Sequence, residues 1–113
     1  MSAGHRLGHA GEHAAVGYLE SLGYRILQRN LRGPAGEIDI VALDGTTFVF
    51  IEVKARRNRR YGSALAAVDA RKRARLRAAA ADFLQFVAPQ ATARFDILAI
   101  DGNVVQLHRG AFA

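Results

Sequence analysis

The stretch Gly36–Arg57, GEIDIVALDGTTFVFIEVKARR, contains two apolar runs separated by a short polar turn. Both runs are rich in β-branched and aromatic residues, which favour strands, and the Asp44-Gly45 dipeptide between them is typical of a tight hairpin. We therefore predict one strand over Glu37–Leu43 and a second over Thr47–Ala55, paired antiparallel. This hairpin forms the centre of the predicted fold.

Five further elements are predicted from periodicity and turn residues on either side of the hairpin. In chain order they are a helix over His5–Leu22, a strand over Tyr24–Leu31, a helix over Ser63–Val87 with a break allowed near its start, and strands over Arg94–Ile100 and Val104–His108. The order αβββαββ indicates an α/β protein with a mixed β-sheet flanked by helices. A chain of 113 residues, half of them hydrophobic, is expected to form a single domain over residues 1–113.

The composition restricts the compartment and the partner. The absence of cysteine excludes disulfides and thiolate metal sites. Because the chain also lacks a run of about 18 apolar residues and a signal-peptide core, a cytoplasmic protein is expected. The net charge is +6, and fourteen of the sixteen basic residues are arginine, which makes bidentate phosphate contacts. A nucleic-acid partner fits this composition, although an arginine bias inherited from genome composition fits it equally well.

Charged side chains recur on one face of each hairpin strand. Because side chains alternate along a strand, Glu37 and Asp39 are expected on one face, with Ile38 and Ile40 on the other. Asp39 and Glu52 lie at comparable distances on either side of the hairpin turn. If the charged faces of the two strands coincide, their carboxylates form one cluster.

In the second strand, Glu52 and Lys54 share a face with Phe48 and Phe50. On its own, a Glu-x-Lys pair usually belongs to a solvated strand face. The two phenylalanines indicate instead that this face is covered, so the charges lie where a central strand leaves the core and enters a cleft. We therefore predict that the charged cluster is a functional site.

Carboxylates held together in this way repel one another and resist desolvation, and a divalent cation relieves both costs. Mg²⁺ and Mn²⁺ prefer such oxygen ligands, and a neighbouring lysine can hold a water or stabilise charge on a phosphate. These are the parts needed to hydrolyse a phosphodiester. Glu12, at the edge of the first helix's apolar stripe, is expected to lean toward the sheet, with a helix-capping or surface role as the alternative.

A basic segment follows the Glu-x-Lys strand. The phosphate-binding residues predicted in it are Arg56, Arg57, Arg59, Arg60 and Tyr61. Their position beside the acidic cluster favours sequence-independent contacts with a nucleic-acid backbone over a solvated charge run. Lys72 falls on the apolar stripe of the long helix, so it is expected to point toward the sheet and to join the nucleic-acid-binding set. Asp96 is expected to form a structural salt bridge with Arg94 or another arginine rather than to bind metal.

Short motifs along nearly the whole chain resemble the small bacterial YraN-like family. They are GxxGExxA from Gly8, LGY from Leu22, RN from Arg29, GEIDIVA from Gly36, FVFIEVKAR from Phe48, YG from Tyr61, RFDI from Arg94 and AF from Ala111. That family is similar to the PD-(D/E)xK nucleases, especially the archaeal Holliday-junction resolvases. The resemblance implies a restriction-endonuclease-like core for this chain.

The resemblance also implies roles for single residues. It implies that the ligands of Mg²⁺ or Mn²⁺ are Asp39, Glu52, Glu12 and the backbone carbonyl of Val53. Lys54 completes the E-x-K pair and would position or activate the attacking water, and Glu37 is added from the charged cluster as an assisting carboxylate. The proline that names the superfamily motif is replaced here by Ile38.

The predicted function is a metal-dependent endonuclease that hydrolyses phosphodiester bonds, with DNA favoured over RNA and branched DNA among the substrates. The resolvase resemblance also implies a homodimer, because two symmetric strands are cut by two sites. Two alternatives stay open. One is a non-catalytic nucleic-acid-binding protein with a nuclease-like fold, and the other is a small protein-interaction subunit without a nucleic-acid role.

Overall fold

The computed structural model describes residues 8–56, 68–102 and 104–113, with residues 8–10, 12 and 56 described by their backbone only. Its elements are α1 (Gly8–Ser21), β1 (Arg25–Gly33), β2 (Gly36–Asp44), β3 (Thr47–Arg56), α2 (Ala70–Val87), β4 (Ala93–Asp101) and β5 (Val104–Phe112). The predicted order αβββαββ and the predicted fold class are confirmed. Within the described residues, neither helix is both long and apolar enough to cross a bilayer.

The five strands form one mixed sheet in the order β1-β2-β3-β4-β5. Strands β3 and β4 run parallel, and every other neighbouring pair is antiparallel. The connection between β3 and β4 contains α2, as a parallel pair requires a crossover. The Asp44-Gly45 turn joins β2 to β3 as predicted, with Asp44 paired to Thr47 and Gly45 at a φ of 63°.

Most strand boundaries lie within two residues of the prediction, and two elements need comment. Of the helix predicted over Ser63–Val87, with a break allowed near its start, α2 begins at Ala70, because the Asp69 side chain caps it by accepting the Lys72 N–H at 2.9 Å; residues 63–67 lie outside the described part. Strand β5 continues to Phe112 instead of ending at His108, since Gly110, at a φ of 57°, forms an irregularity rather than a strand end.

The sheet is buried on both faces, with one helix on each. The α2-side core consists of Ile38, Val41, Phe48, Phe50, Val68, Leu76, Ala79, Ala80, Ile97 and Ala99. The α1-side core consists of Ala15, Val16, Leu19, Tyr24, Ile40, Ala42, Val49, Ile51, Val53 and Leu98. The Phe83 ring packs edge-on at 6.3 Å from Phe48 and 6.0 Å from Phe50. The face that carries Phe48, Phe50 and Glu52 is therefore covered by α2, as their pattern predicted.

The alternation predicted for β2 fails near its start. Ile38 packs in the α2-side core, whereas Ile40 packs in the α1-side core, so the expectation that both share one face is wrong. The reason lies in the pairing of the strand. The β2–β3 ladder ends at Ile40↔Ile51, while β2 remains paired with β1 as far as Gly36 and β3 with β4 as far as Arg56.

Beyond this point the sheet divides between its two central strands, a feature we call the strand fork. A ladder that ends while both outer ladders continue leaves backbone groups on the inner edges without strand partners. Asp39, which precedes Ile40 on β2, and Glu52, which follows Ile51 on β3, flank the opening. A side chain can therefore reach between β2 and β3 at the fork.

Candidate active site at the strand fork

Glu52 is the most enclosed acidic side chain at the fork, with 5% of it exposed to solvent. Two lysines reach the same oxygen of its carboxylate. Lys72 Nζ lies 3.1 Å from Oε2, and Lys54 Nζ lies 3.7 Å from it. A buried carboxylate is stable in its charged form only when cations or donors surround it, and here both cations are lysines from different elements.

Lys72 reaches the fork because the first turn of α2 is held in place. Asp69 accepts the Lys72 backbone N–H, and Arg73 Nε donates to the Val68 carbonyl at 2.9 Å. Leu76, one turn later, is buried in the α2-side core. Lys72 therefore points toward the sheet, as its place on the apolar stripe predicted, and its ammonium ends on Glu52.

Asp39 occupies the inner edge of β2. Its Oδ2 accepts the backbone N–H of Val53 at 2.8 Å, which satisfies a donor that the ended ladder leaves free. The side chain is half-buried and lies near the carboxyl group of Glu52. Burial, followed by the negative charge of Glu52, raises the pKa of Asp39 to about 7, although the Val53 N–H and Lys72 act in the opposite direction.

Two carboxyl groups therefore lie close together at the fork, and the pKa of one of them, Asp39, is raised to about 7. Two neighbouring carboxylates have only acceptors, so a proton or a cation between them relieves their repulsion. Carboxylate and carbonyl oxygens are ligands that Mg²⁺ and Mn²⁺ prefer. The groups at the fork that could hold such an ion are Asp39, Glu52 and the backbone carbonyl of Val53.

The remaining predicted carboxylates are placed differently. Glu37 lies next to Arg32 on β1, with Oε2 4.0 Å from the arginine Nε, so the structure pairs it with the sheet edge and not with Asp39. Glu12 lies in α1 one turn before the buried Ala15 and Val16, and its side chain is outside the described part. Among the described side chains, no three acidic, histidine or cysteine groups gather in one place.

The basic segment falls mostly outside the described residues. Arg57, Arg59, Arg60 and Tyr61 all lie there, as does the side chain of Arg56. The backbone of Arg56 ends β3 and pairs with Asp101 of β4. The segment therefore leaves the sheet four residues after Glu52, on the β3 side of the fork.

Asp96 forms the structural salt bridge that was predicted for it. It is fully buried on the α1 side and accepts hydrogen bonds from Tyr24 Oη, Arg94 Nε and the Gly110 N–H, all at 2.9 Å. Arg94 also donates to Asp44 at 3.0 Å. Burial and the hydrogen bond to Asp96 raise the pKa of Tyr24 to about 12, and the pKa of Arg94 rises through its bond to Asp96.

Sequence reasoning missed two features of the fork. The bond from the Val53 N–H to Asp39 has no local signal, because it exists only where the two strands separate. The convergence of both lysines on one Glu52 oxygen was also not foreseen. The signal that could have suggested it was the rarity of lysine, since Lys54 and Lys72 are the only two in the chain.

Comparison with known proteins identifies relatives along most of the chain. A family model described as "Uncharacterised protein family UPF0102" matches residues 11–100. A UPF0102 protein of Shewanella loihica is 44% identical over 105 residues, covering 93% of this chain and 92% of the relative. One from Ectopseudomonas mendocina is 49% identical over 102 residues, covering 88% and 86%, and one from Shewanella pealeana is 39% identical over 112 residues, covering 99% and 100%. The YraN-like family that the motifs resemble is this same family.

Proposed function

The chain belongs to the UPF0102 family, and from the strand fork that this member carries we propose that it is a metal-dependent endonuclease acting on DNA. The observation that carries the proposal is the buried Glu52, which binds Lys54 and Lys72 at the fork and lies beside Asp39. Neighbouring carboxylates oppose folding, so such a pair is most common where a ligand or a reaction requires it. Glu52 itself is buried, whereas Asp39, Lys54 and Lys72 keep partial exposure to solvent.

The ion would be Mg²⁺ or Mn²⁺, held by Asp39, Glu52 and the carbonyl of Val53, with Glu12 as a further ligand from α1. When bound, it would neutralise charge on the phosphate and lower the pKa of water near it. Glu37 is paired with Arg32, so it would assist only through its charge and from a distance. Binding would also remove the repulsion between the two carboxylates, so metal binding and stability would be linked.

The two lysines would have different roles in the reaction. Lys54, at 3.7 Å from Glu52, is the looser contact and lies on the strand that leads to the basic segment. It would orient the attacking water, which gives up a proton to solvent as its oxygen forms the new bond to phosphorus. The phosphorus–oxygen bond on the opposite side breaks, and the leaving oxygen takes up a proton from solvent. Lys72 would contact the scissile phosphate and stabilise the charge that develops on its oxygens.

The substrate would be held by its backbone. Arg56, Arg57, Arg59, Arg60 and Tyr61 follow directly from the strand that supplies Glu52 and Lys54. Contacts of this kind give affinity without reading sequence, and the affinity falls as salt is raised. DNA is the favoured substrate, with branched DNA included, and a homodimer would place two sites on opposed strands.

The first experiment measures cleavage of labelled single-stranded, duplex and branched DNA with Mg²⁺, Mn²⁺ or EDTA. Asp39→Ala and Lys54→Ala should each lower the rate by about 1,000-fold, which equals about 4 kcal/mol of transition-state stabilisation. Asp82→Ala is the matched control, because Asp82 is an exposed aspartate on α2, ten residues or about 15 Å along the helix from Lys72. It should cut at the wild-type rate.

Three results would contradict the proposal in different ways. Cutting that survives in Asp39→Ala would place the active site elsewhere. Salt-sensitive binding without cutting of any substrate would favour the non-catalytic nucleic-acid-binding protein. Failure to bind DNA or RNA at about 0.15 M salt would leave the protein-interaction subunit as the better account.

A further inference from the structure

Two arginines border the open end of the fork on the side away from the basic segment. Arg32, near the end of β1, has 80% of its side chain exposed and pairs in register with Glu37. Arg75 is exposed on α2, and a β-carbon placed on Gly36 would lie 3.8 Å from its Cβ. Since Gly33 pairs with Gly36 at the tip of this hairpin, both arginines lie beside the same β1–β2 tip.

Arg75 differs from Lys72, Arg73 and Arg77 on the same helix. Arg73 donates to the Val68 carbonyl, and its guanidinium lies 5.6 Å from the centre of the Phe112 ring. Arg77 donates to the Ala113 carbonyl at 3.0 Å, and Lys72 is bound to Glu52. Among the described residues, none forms a hydrogen bond or an ion pair with Arg75. Its charge is therefore available to a ligand, whereas the charges of Arg73 and Arg77 are used within the fold.

Arg32 is only weakly neutralised. Its Nε lies 4.0 Å from Glu37, and an exposed pair at that separation contributes between nothing and about 1 kcal/mol. The guanidinium can exchange this contact for a phosphate, with which it can form two parallel hydrogen bonds. The two arginines thus provide two exposed positive charges on adjacent elements, next to an acidic fork.

Their spacing from the fork suits a polynucleotide. Gly36 is three residues before Asp39 on β2, which corresponds to about 10 Å of strand. A backbone that passes the fork would therefore reach the β1–β2 tip within a few phosphates.

We propose that Arg32 and Arg75 form a second phosphate-binding site, which holds the DNA backbone a few phosphates from the bond that is cut. The site rests on the proposed function and adds part of the substrate's path to it. On this path the strand passes the fork and reaches the β1–β2 tip. Because only guanidinium–phosphate contacts are involved, the site is independent of sequence.

The test is the salt dependence of duplex binding in EDTA, where no cutting can occur. Each phosphate contact that is lost should reduce the log–log slope by about 0.9. Arg32→Gln and Arg75→Gln should therefore each reduce it by about 0.9, and the double variant by about 1.8. The melting temperatures should not change, because both side chains are exposed.

Arg25→Gln is the matched control. Arg25 is an exposed arginine on the same strand, but it pairs with Leu43 at the opposite end, seven residues or about 23 Å from Arg32. Its slope should equal that of the wild type. An equal reduction in Arg25→Gln would show a general charge effect and overturn the second site.

The outcomes separate this site from the proposed function. A wild type that binds and cuts DNA, together with a double variant of unchanged slope, would overturn the second site and leave the nuclease intact. A wild type that binds no DNA would overturn both. A reduced log–log slope in the double variant, together with an unchanged slope in Arg25→Gln, would establish the second site.

Discussion

Asp39 is half-buried and Asp96 fully buried in the same sheet, and their carboxyl groups meet opposite surroundings. Asp96 faces the α1 side and accepts hydrogen bonds only from donors, namely Tyr24, Arg94 and the Gly110 N–H. Asp39 accepts one backbone N–H and then meets Glu52, a second acid. The fold supplies Asp96 with all of its hydrogen-bond donors, whereas it holds Asp39 beside a like charge.

The difference distinguishes a structural acid from one placed for a ligand. A buried charge stabilises a fold when donors satisfy it, and Asp96 has them from three separate parts of the chain. The fork instead places two acids side by side, and burial, followed by the charge of Glu52, raises the pKa of Asp39 to about 7. Such a cost is common at sites where function competes with stability.

The strongest test of this comparison makes the same substitution in both places. Asp96→Asn removes the negative charge that accepts hydrogen bonds from Arg94 and Tyr24, and it turns an amide NH₂ group toward those donors. We expect a loss of about 3–5 kcal/mol in the free energy of unfolding, as for other broken buried pairs. Urea denaturation at pH 8 in EDTA measures it. A loss below about 1 kcal/mol, the value of an exposed ion pair, would contradict the structural role.

Asp39→Asn should have the opposite sign under the same conditions. The amide can accept the Val53 N–H and donate to Glu52, as the protonated acid does. In the wild type, the folded pKa of about 7 exceeds the ordinary 3.8, so this group favours folding below about pH 4 and loses that contribution as pH rises to 7. At pH 8 the variant should be the more stable by about 2 kcal/mol, after allowing for solvent screening at a half-exposed group.

The control for this prediction is pH itself. The difference between wild type and Asp39→Asn should largely disappear near pH 3, below the ordinary 3.8, where Asp39 is mostly protonated in both folded and unfolded chains. An excess of Mg²⁺ at pH 8 should stabilise the wild type more than the variant, since the ion binds the folded carboxylates. A difference that is independent of pH would show that Asp39 does not carry a raised pKa.

The smallest effect concerns one donor of the Asp96 group. Tyr24→Phe removes a hydrogen bond to a charged acceptor but leaves Arg94 and the Gly110 N–H in place. We expect a loss of about 1.5 kcal/mol in the free energy of unfolding, with no change in DNA cleavage. Thermal and urea denaturation measure the first, and the cleavage assay measures the second. A cleavage defect would show that the two faces of the sheet are coupled.

Much of the central hairpin could be predicted because it depends on neighbours in sequence. The Asp44-Gly45 turn fixes the β2–β3 partners, and alternation then places Glu52 with Phe48 and Phe50 under α2. Lys72 could be directed to the sheet by helical spacing alone. These features follow from periods of two and 3.6 residues, which act over a few positions.

Other features depend on elements far apart in the chain. Tyr24 and Asp96 are 72 residues apart, and no local pattern joins them. A glycine such as Gly110 is typical of a strand end, yet its N–H donates to Asp96 and β5 continues past it. Glu37 shares the expected period with Asp39, but its partner is Arg32 of the neighbouring strand. In each case a contact formed by folding overrode the local signal.

The sequence by itself determined the element order, the charged face of β3 and the inward lysine of α2, because turn chemistry and side-chain periodicity are local. Only the tertiary structure decided that the central strands separate after Ile40 and Ile51. That separation follows from the outer ladders, which hold β2 to β1 and β3 to β4 after the inner ladder has ended. It brings Asp39 onto the Val53 N–H and beside Glu52, because the edges of a divided sheet leave donors that a side chain can satisfy.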